Sequence, residues 1–210
     1  MFKDICVENI VVGITGASGA IHAQRLLQIL CKMEYKLHVS ISDAAALVIK
    51  HELGIDVTCN YPNLTQFLGY TTDNVIYYNN LNIGATIASS RYPIKAMIVV
   101  PCSMNTLCSI AHGIANNLIQ RAASITIKEG RKLVVVPRET PLSSIHLEAM
   151  LKLSSMGVCI LPAMPGFYHN PKTITDQVNF IVAKILDVLN IKHTLIPEWR
   201  GEEWIKAEVT

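Results

Sequence analysis

The charged and small polar residues best suited to chemistry stand at the ends of apolar runs. In KLVVVPRETPLSSIH, Arg138 and Glu139 lie side by side just past a run of buried-strand type. A guanidinium there is shaped to grip phosphate through two parallel hydrogen bonds, and an adjoining carboxylate can move protons once its surroundings tune it. The plainer reading is a surface ion pair at a turn. In IVVGITGASGA, Gly13, Gly16 and Gly19 are spaced three apart between a strand-like and a helix-like run. Glycines so placed allow a tight turn and bring backbone N–H groups close to a phosphate at a helix N-terminus. The spacing is not G-x-G-x-x-G, and Ser18 adds a hydroxyl. A further loop, Cys102-Ser103-Met104-Asn105-Thr106, follows AMIVVP and is able to cradle a phosphate or a ring carbonyl. Two such loops fit a mononucleotide with a polar ring. Asp43, after Ser40, Ile41 and Ser42 at the end of another apolar run, is placed to hold a ribose, which keeps a nicotinamide dinucleotide open.

Other groups carry less. Nothing near Cys102 in sequence activates it as a nucleophile, and a small buried cysteine is its ordinary role. Arg121 and Lys128 are seven apart on a predicted helix and share one face, which by itself reads as a solvated basic surface. LPAMPGFYHNP fixes a loop presenting Phe167, Tyr168 and His169, either to cover an aromatic ligand or to pack. His22, His38, His51, His112, His146 and His193 show no paired metal spacing, so no metal site is expected.

The elements that must position these loops follow from periodicity. IVVGIT, KLHVSIS, AMIVVP, KLVVVP and VCILPA are short, β-branched and nearly continuous in apolar character, the pattern of strands covered on both faces. Helical spacing runs over 20–32, over 143–156 from a serine cap, and over 173–189. Strands alternating with helices predict an α/β fold: a three-layer, Rossmann-like or flavodoxin-like parallel sheet flanked by helices, with ligands at the carboxyl ends of the strands. Residues 56–80, rich in Asn, Tyr and Thr, predict an excursion or small helical insertion. One domain over 1–210 is expected, with a core about 10–191 and a tail from Lys192 that contains Trp199 and Trp204.

Bulk properties narrow the classes. The chain has 210 residues, 50% of them hydrophobic and 16% charged, enough for one sizeable core. Mean hydropathy is positive, at +0.34. Every long apolar run is nevertheless broken well before the roughly 18 residues a spanning helix needs. A formal charge of +2, with Lys and Arg scattered, gives no argument for nucleic acid. The opening MFKDICVENI lacks an apolar signal-type core, and six cysteines without a C-x-x-C pair suit reduced thiols, so a cytoplasmic location is expected.

GITGASGA, PCSMNTL, NNLIQRAA, PRETPLSSIHLEAMLKL and PGFYHNP together resemble the UbiX-type flavin prenyltransferases, within the wider family of flavin-containing decarboxylase-like proteins. The resemblance covers about residues 10–191 and is most specific in PRETPLSSIHLE. It implies that Gly16, Ala17, Ser18, Ser42, Ser103, Met104, Asn105 and Thr106 hold FMN, with Arg138 as a charged contact. It implies that reduced FMN is a substrate, joined without metal at N5 and then C6 to the dimethylallyl group of dimethylallyl phosphate. Tyr168 and Lys184, with Arg121, Lys128 and Ser89, bind that second substrate, partly across a subunit boundary. Glu52 and Ser18 assist proton transfer around the departing phosphate, Glu139 handles protons during ring closure, Lys128 is a further catalytic candidate, and Trp199 walls the allylic cation. A trimer-based homo-oligomer, usually a dodecamer, is implied, with prenylated FMN passed to a UbiD-type decarboxylase.

Three competitors stand beside this expectation. A flavin-dependent cysteine-type decarboxylase would use the same loops, but PAMPGFYHNP occupies the place of its P-x-M-N-x-x-M-W clamp. A nicotinamide-dependent oxidoreductase is disfavoured by the glycine spacing. A non-catalytic flavin carrier would have no need of Glu52, Arg121, Lys128, Glu139 and Tyr168 together.

Overall fold

The computed structural model describes residues 7–57 and 64–197. They fall into two compact units that divide between Ala163 and Met164. The first unit is built on a six-stranded sheet of β1 (Glu8–Ile14), β2 (Tyr35–Ile41), β3 (Val75–Asn79), β4 (Ala96–Cys102), β5 (Lys132–Pro137) and β6 (Cys159–Ile160), in the order β3-β2-β1-β4-β5-β6. Every pairing is parallel. The chain moves outward from β1 to β3, then returns to the other side of β1 to lay down β4. The strand order therefore reverses between β1 and β4, where a crevice opens at the carboxyl ends.

The helices of this unit are α1 (Ala20–Leu30), α2 (Asp43–Leu53), α3 (Thr65–Leu68), α4 (Met104–Ala111), α5 (Leu118–Lys128) and α6 (Ser144–Ser155). Contacts join α1 with α2 and α3, and α4 with α5 and α6. Alternation along the strands explains the layering. Val11, Met97, Val99, Leu133 and Val135 enter a core with Leu107, Ile119 and Ala122. Ile10, Val12 and Ile14 alternate with them, and α1, which contacts β2 and β4, buries Leu26, Leu27 and Leu30. Strands buried on both faces must read as unbroken apolar runs, which is why β1, β2, β4 and β5 were visible in sequence, and the short, half-buried edge strand β6 was visible because its run happens to be apolar as well.

The exception is β3. Residues 56–80 hold a short helix, as expected, but end in an edge strand whose residues are all only half-buried. An edge strand with one neighbour needs no continuous apolar run. The predicted helices appear as α1, as α6, and as α7 (Ile174–Val188) of the second unit. Ser143 caps α6 in a box with His146, whose ring nitrogen takes the Ser143 N–H at 3.3 Å. Among the described residues no helix is long and apolar enough to cross a membrane.

Behind the crevice lies a buried polar knot. His38 on β2 is fully buried. Its Nδ1 lies 3.0 Å from the Tyr78 hydroxyl, and its Nε2 lies 3.1 Å from both Asn9 Oδ1 and the Tyr92 hydroxyl. Burial, reinforced by the charge of Lys36, lowers its pKa from 6.5 to about 4. The unfolded chain takes up this proton first, so the stability that neutral His38 contributes is complete above pH 6.5 and is lost as pH falls towards 4. Thermal melts across that interval should show a steeper fall in Tm for the wild type than for His38→Gln. Equal slopes would remove His38 as the titrating group.

Candidate functional site

The first turn leaves β1 at Thr15 and enters α1 at Gly19. Gly19 has φ +110°, a left-handed conformation that favours glycine. Gly13 and Gly16 are glycines for a different reason. A Cβ on Gly13 would lie 2.9 Å from Ile119 Cγ2, and one on Gly16 would lie 2.4 Å from the Cβ of Ala44. The repeat expected to admit a phosphate thus also admits α5 and α2. Ala17 is buried and Ser18 exposed.

Gly19 has no side chain to cap α1, and the cap comes from far along the chain. The Glu52 carboxylate accepts from Gly19 N at 3.0 and 3.1 Å and from Ala20 N at 2.9 Å. Burial works to raise the Glu52 pKa. It is outweighed by the hydrogen bonds from the Ser18 hydroxyl and these two N–H groups and by the charge of Arg138, and the pKa lies below the usual carboxylate value. The anion at the N-terminus of α1 is therefore the chain's own carboxylate, where the sequence pointed to a phosphate. Ser18, Glu52 and Arg138 form one electrostatic cluster.

The second turn leaves β4 and enters α4. Ser103 caps the helix, its Oγ accepting from Thr106 N at 3.3 Å and donating to Thr106 Oγ1 at 3.1 Å. Met104 and Thr106 are buried, and Asn105 is exposed. Cys102 is fully buried, and burial pushes its thiol pKa far up, so it is not a nucleophile. Ser42 caps α2 through Ala45 N at 3.1 Å, and its own N–H donates to Ile14 O at 3.0 Å, which ties the end of β2 to the end of β1.

Thr15 joins the two turns and was not singled out in the sequence. It is 2% exposed. Its hydroxyl donates to Pro101 O at 2.9 Å and accepts from Ser103 N at 2.7 Å, and its N–H donates to Pro101 O at 3.2 Å. Within GITGASGA a threonine gives no signal beside three glycines. Only the register of β1 against β4 brings it to Ser103.

Arg138 and Glu139 follow β5. Arg138 Nε is buried and has no hydrogen-bond partner. Glu139 accepts from Thr140 N at 3.1 Å. Among the described residues no ion pair joins Arg138 to Glu139. A buried guanidinium nitrogen without an acceptor is a costly feature that a ligand oxygen relieves. That unmet donor, at the end of the strand next to β4, fits an anionic, carbonyl-bearing group such as FMN.

The remaining candidates are described by their own neighbours. Ser89 ends a 3-10 turn (Thr86–Ala88) and accepts from Arg91 N at 3.3 Å. Arg121 and Lys128 are exposed on α5, and Lys128 pairs with Glu129 at 3.2 Å. In the second unit, Tyr168 is 53% exposed and meets the rings of His169 and Phe180 edge-on. Lys184 lies over the Phe180 ring at 5.8 Å and pairs with Asp187 at 3.4 Å. Trp199 lies outside the described residues. No group of three or more His, Cys, Asp or Glu able to hold a metal occurs among the described residues.

Comparison with known proteins agrees with this geometry. The model of the flavoprotein family matches residues 4–194. The flavin prenyltransferase UbiX of Alkalihalophilus pseudofirmus is 50% identical over 188 residues, covering 90% of this chain and 94% of that one. The crystal structure of AnUbiX (PadA1) in complex with FMN and dimethylallyl pyrophosphate superposes with a TM-score of 0.84 at 34% identity, covering 93% and 98% of the two chains. A dodecameric FMN-dependent UbiX-like decarboxylase from Escherichia coli O157:H7 gives 0.83 at 41% identity, covering 92% and 100%. With a family model spanning most of its length and such a relative at half identity, this chain belongs to the flavoprotein family and, within it, to the UbiX-type flavin prenyltransferases.

Proposed function

We propose that this chain joins the dimethylallyl group of dimethylallyl phosphate to reduced FMN, making prenylated FMN for a UbiD-type decarboxylase. The carrying observation is the cluster at the carboxyl ends of β1, β4 and β5. There the unpartnered Arg138 Nε sits in the field of an ionised Glu52 that Ser18 and the α1 N-terminus hold in place. Gly16, Ala17, Ser18 and Ser42, with Ser103, Met104, Asn105 and Thr106, are assigned to the flavin, and Arg138 to its oxygen acceptors. Reduced flavin supplies two nucleophilic positions, N5 and C6.

In the first step the carbon–oxygen bond of the donor breaks as the bond to N5 forms, and phosphate leaves with the bonding electrons. The proton lost from N5 has acceptors in the departing phosphate and in Glu52, which is held ionised and linked to Ser18. In the second step a proton adds to the prenyl double bond, C6 bonds to the cationic carbon that results, and C6 then loses its proton, so the step balances. Glu139, beside Arg138, is assigned to that exchange. Tyr168 and Lys184 are assigned to the donor phosphate. Arg121, Lys128 and Ser89 are assigned to it across a subunit boundary, with Lys128 placed to neutralise the leaving charge, and Trp199 to the prenyl group. The assignments to Tyr168, Lys184, Arg121, Lys128, Ser89 and Trp199 rest on the resemblance.

A homo-oligomer, trimer-based and dodecameric, is part of the same reading. Its support is the outer face of α6, where Leu147 and Leu151, four apart, are 53% and 71% exposed. The free thiols Cys31, Cys102, Cys108 and Cys159 accord with a cytoplasmic enzyme.

Anaerobic incubation with reduced FMN and dimethylallyl phosphate should yield, by mass spectrometry of the extracted flavin, a species heavier by one dimethylallyl unit. Recovery of FMN alone, from protein shown to bind it, would favour a decarboxylase or carrier. Glu139→Gln should bind FMN as the wild type does and accumulate singly attached, unclosed flavin, losing about 100-fold in rate. Unchanged turnover would remove Glu139 from the mechanism. Size-exclusion chromatography should show activity only in assembled species, and an active monomer would overturn the shared donor site.

A further inference from the structure

The ladder between β1 and β4 ends at the pair Gly13 and Val99, two residues before the crevice opens. It cannot continue in the usual way, because Pro101 has no N–H to donate. The pairing of β4 with β5 also shifts register between Val99 and Cys102. From this point a side chain stands in for the ladder. Thr15 satisfies Pro101 O with both its N–H and its hydroxyl, and the same hydroxyl accepts from Ser103 N at 2.7 Å. Ser103 is in turn the cap of α4 and the hinge of the second turn. One buried oxygen, using its proton and a lone pair, links the turn that leaves β1 to the turn that leaves β4.

We propose that Thr15 is a positioning residue that sets the separation of the two flavin-binding turns, so that they are already spaced for the cofactor before it binds. This rests on the flavin reading above. Thr15 is 2% exposed and its hydroxyl proton is committed to Pro101 O, so its part is to hold the turns rather than to donate to a ligand. Valine has the same shape without the hydroxyl and would leave the Ser103 N–H unpartnered, whereas serine keeps both bonds.

The test measures FMN affinity and the fine structure of the bound flavin's visible band. Thr15→Val should weaken binding about tenfold or more and blur the band, the consequence of a broken buried hydrogen-bond pair. Thr15→Ser should stay within about threefold of wild type, because it restores both bonds. Thr126→Val is the matched control. Thr126 is fully buried and its hydroxyl donates to Ala122 O within α5 at 2.7 Å, away from either turn. It should keep FMN affinity within about twofold whatever it costs in Tm, since that bond only turns back on its own helix. Equal affinity for Thr15→Val and wild type, or equal loss in Thr15→Val and Thr15→Ser, overturns the proposal. In unaltered protein the Ser103 amide should exchange with solvent far more slowly than that of exposed Asn105, and comparable rates would overturn it even if the valine variant does not fold. A wild-type chain that binds no FMN would overturn the flavin reading and this inference together, whereas wild-type binding that Thr15→Val leaves unchanged would overturn the inference alone.

Discussion

A parallel ladder stops where a proline brings no N–H to it, and the ligand end of this sheet is organised by how that stop is bridged. Beyond Gly13 and Val99 the regular ladder between β1 and β4 ends, and one backbone bond, from Thr15 N to Pro101 O, remains. The Thr15 hydroxyl, shielded from water, takes over between Pro101 O and Ser103 N. Because water cannot compete for these groups, leaving any one unmet would be costly, and the geometry has one solution. Ser103, which takes one of these bonds, also caps α4.

Electrostatics is layered on this frame. The positive end of α1 faces a carboxylate supplied by α2, and the negative charge there is offset by Arg138 at the end of β5. The ends of two strands and two helices thus contribute to one small field, and the Arg138 Nε is a donor left over.

Much of the fold was legible because both-face burial writes itself into sequence: β1, β2, β4 and β5 are apolar runs, the edge strand β6 is a short one, and α1, α6 and α7 carry their caps or their stripe. The edge strand β3 was not, since its half-buried Val75–Asn79 has one sheet neighbour and a mixed composition. At the site, Arg138 and Glu139 stood out by charge after an apolar run, and the PCSMN turn by its small polar residues. Resemblance alone drew attention to Glu52, and as a proton carrier; that it caps α1 was not legible, because 33 residues separate it from the Gly19 N–H. Thr15 was missed for a related reason: its partner lies 88 residues away, and its meaning is a matter of register.

The crowding of Gly16 against Ala44 has an evolutionary consequence. With 2.4 Å between the methyl of Ala44 and the place a side chain would start on residue 16, α2 lies as close to the first turn as atoms allow. Neither position can grow alone. A lineage enlarging one must first shrink the other, so the path of change passes through a paired substitution.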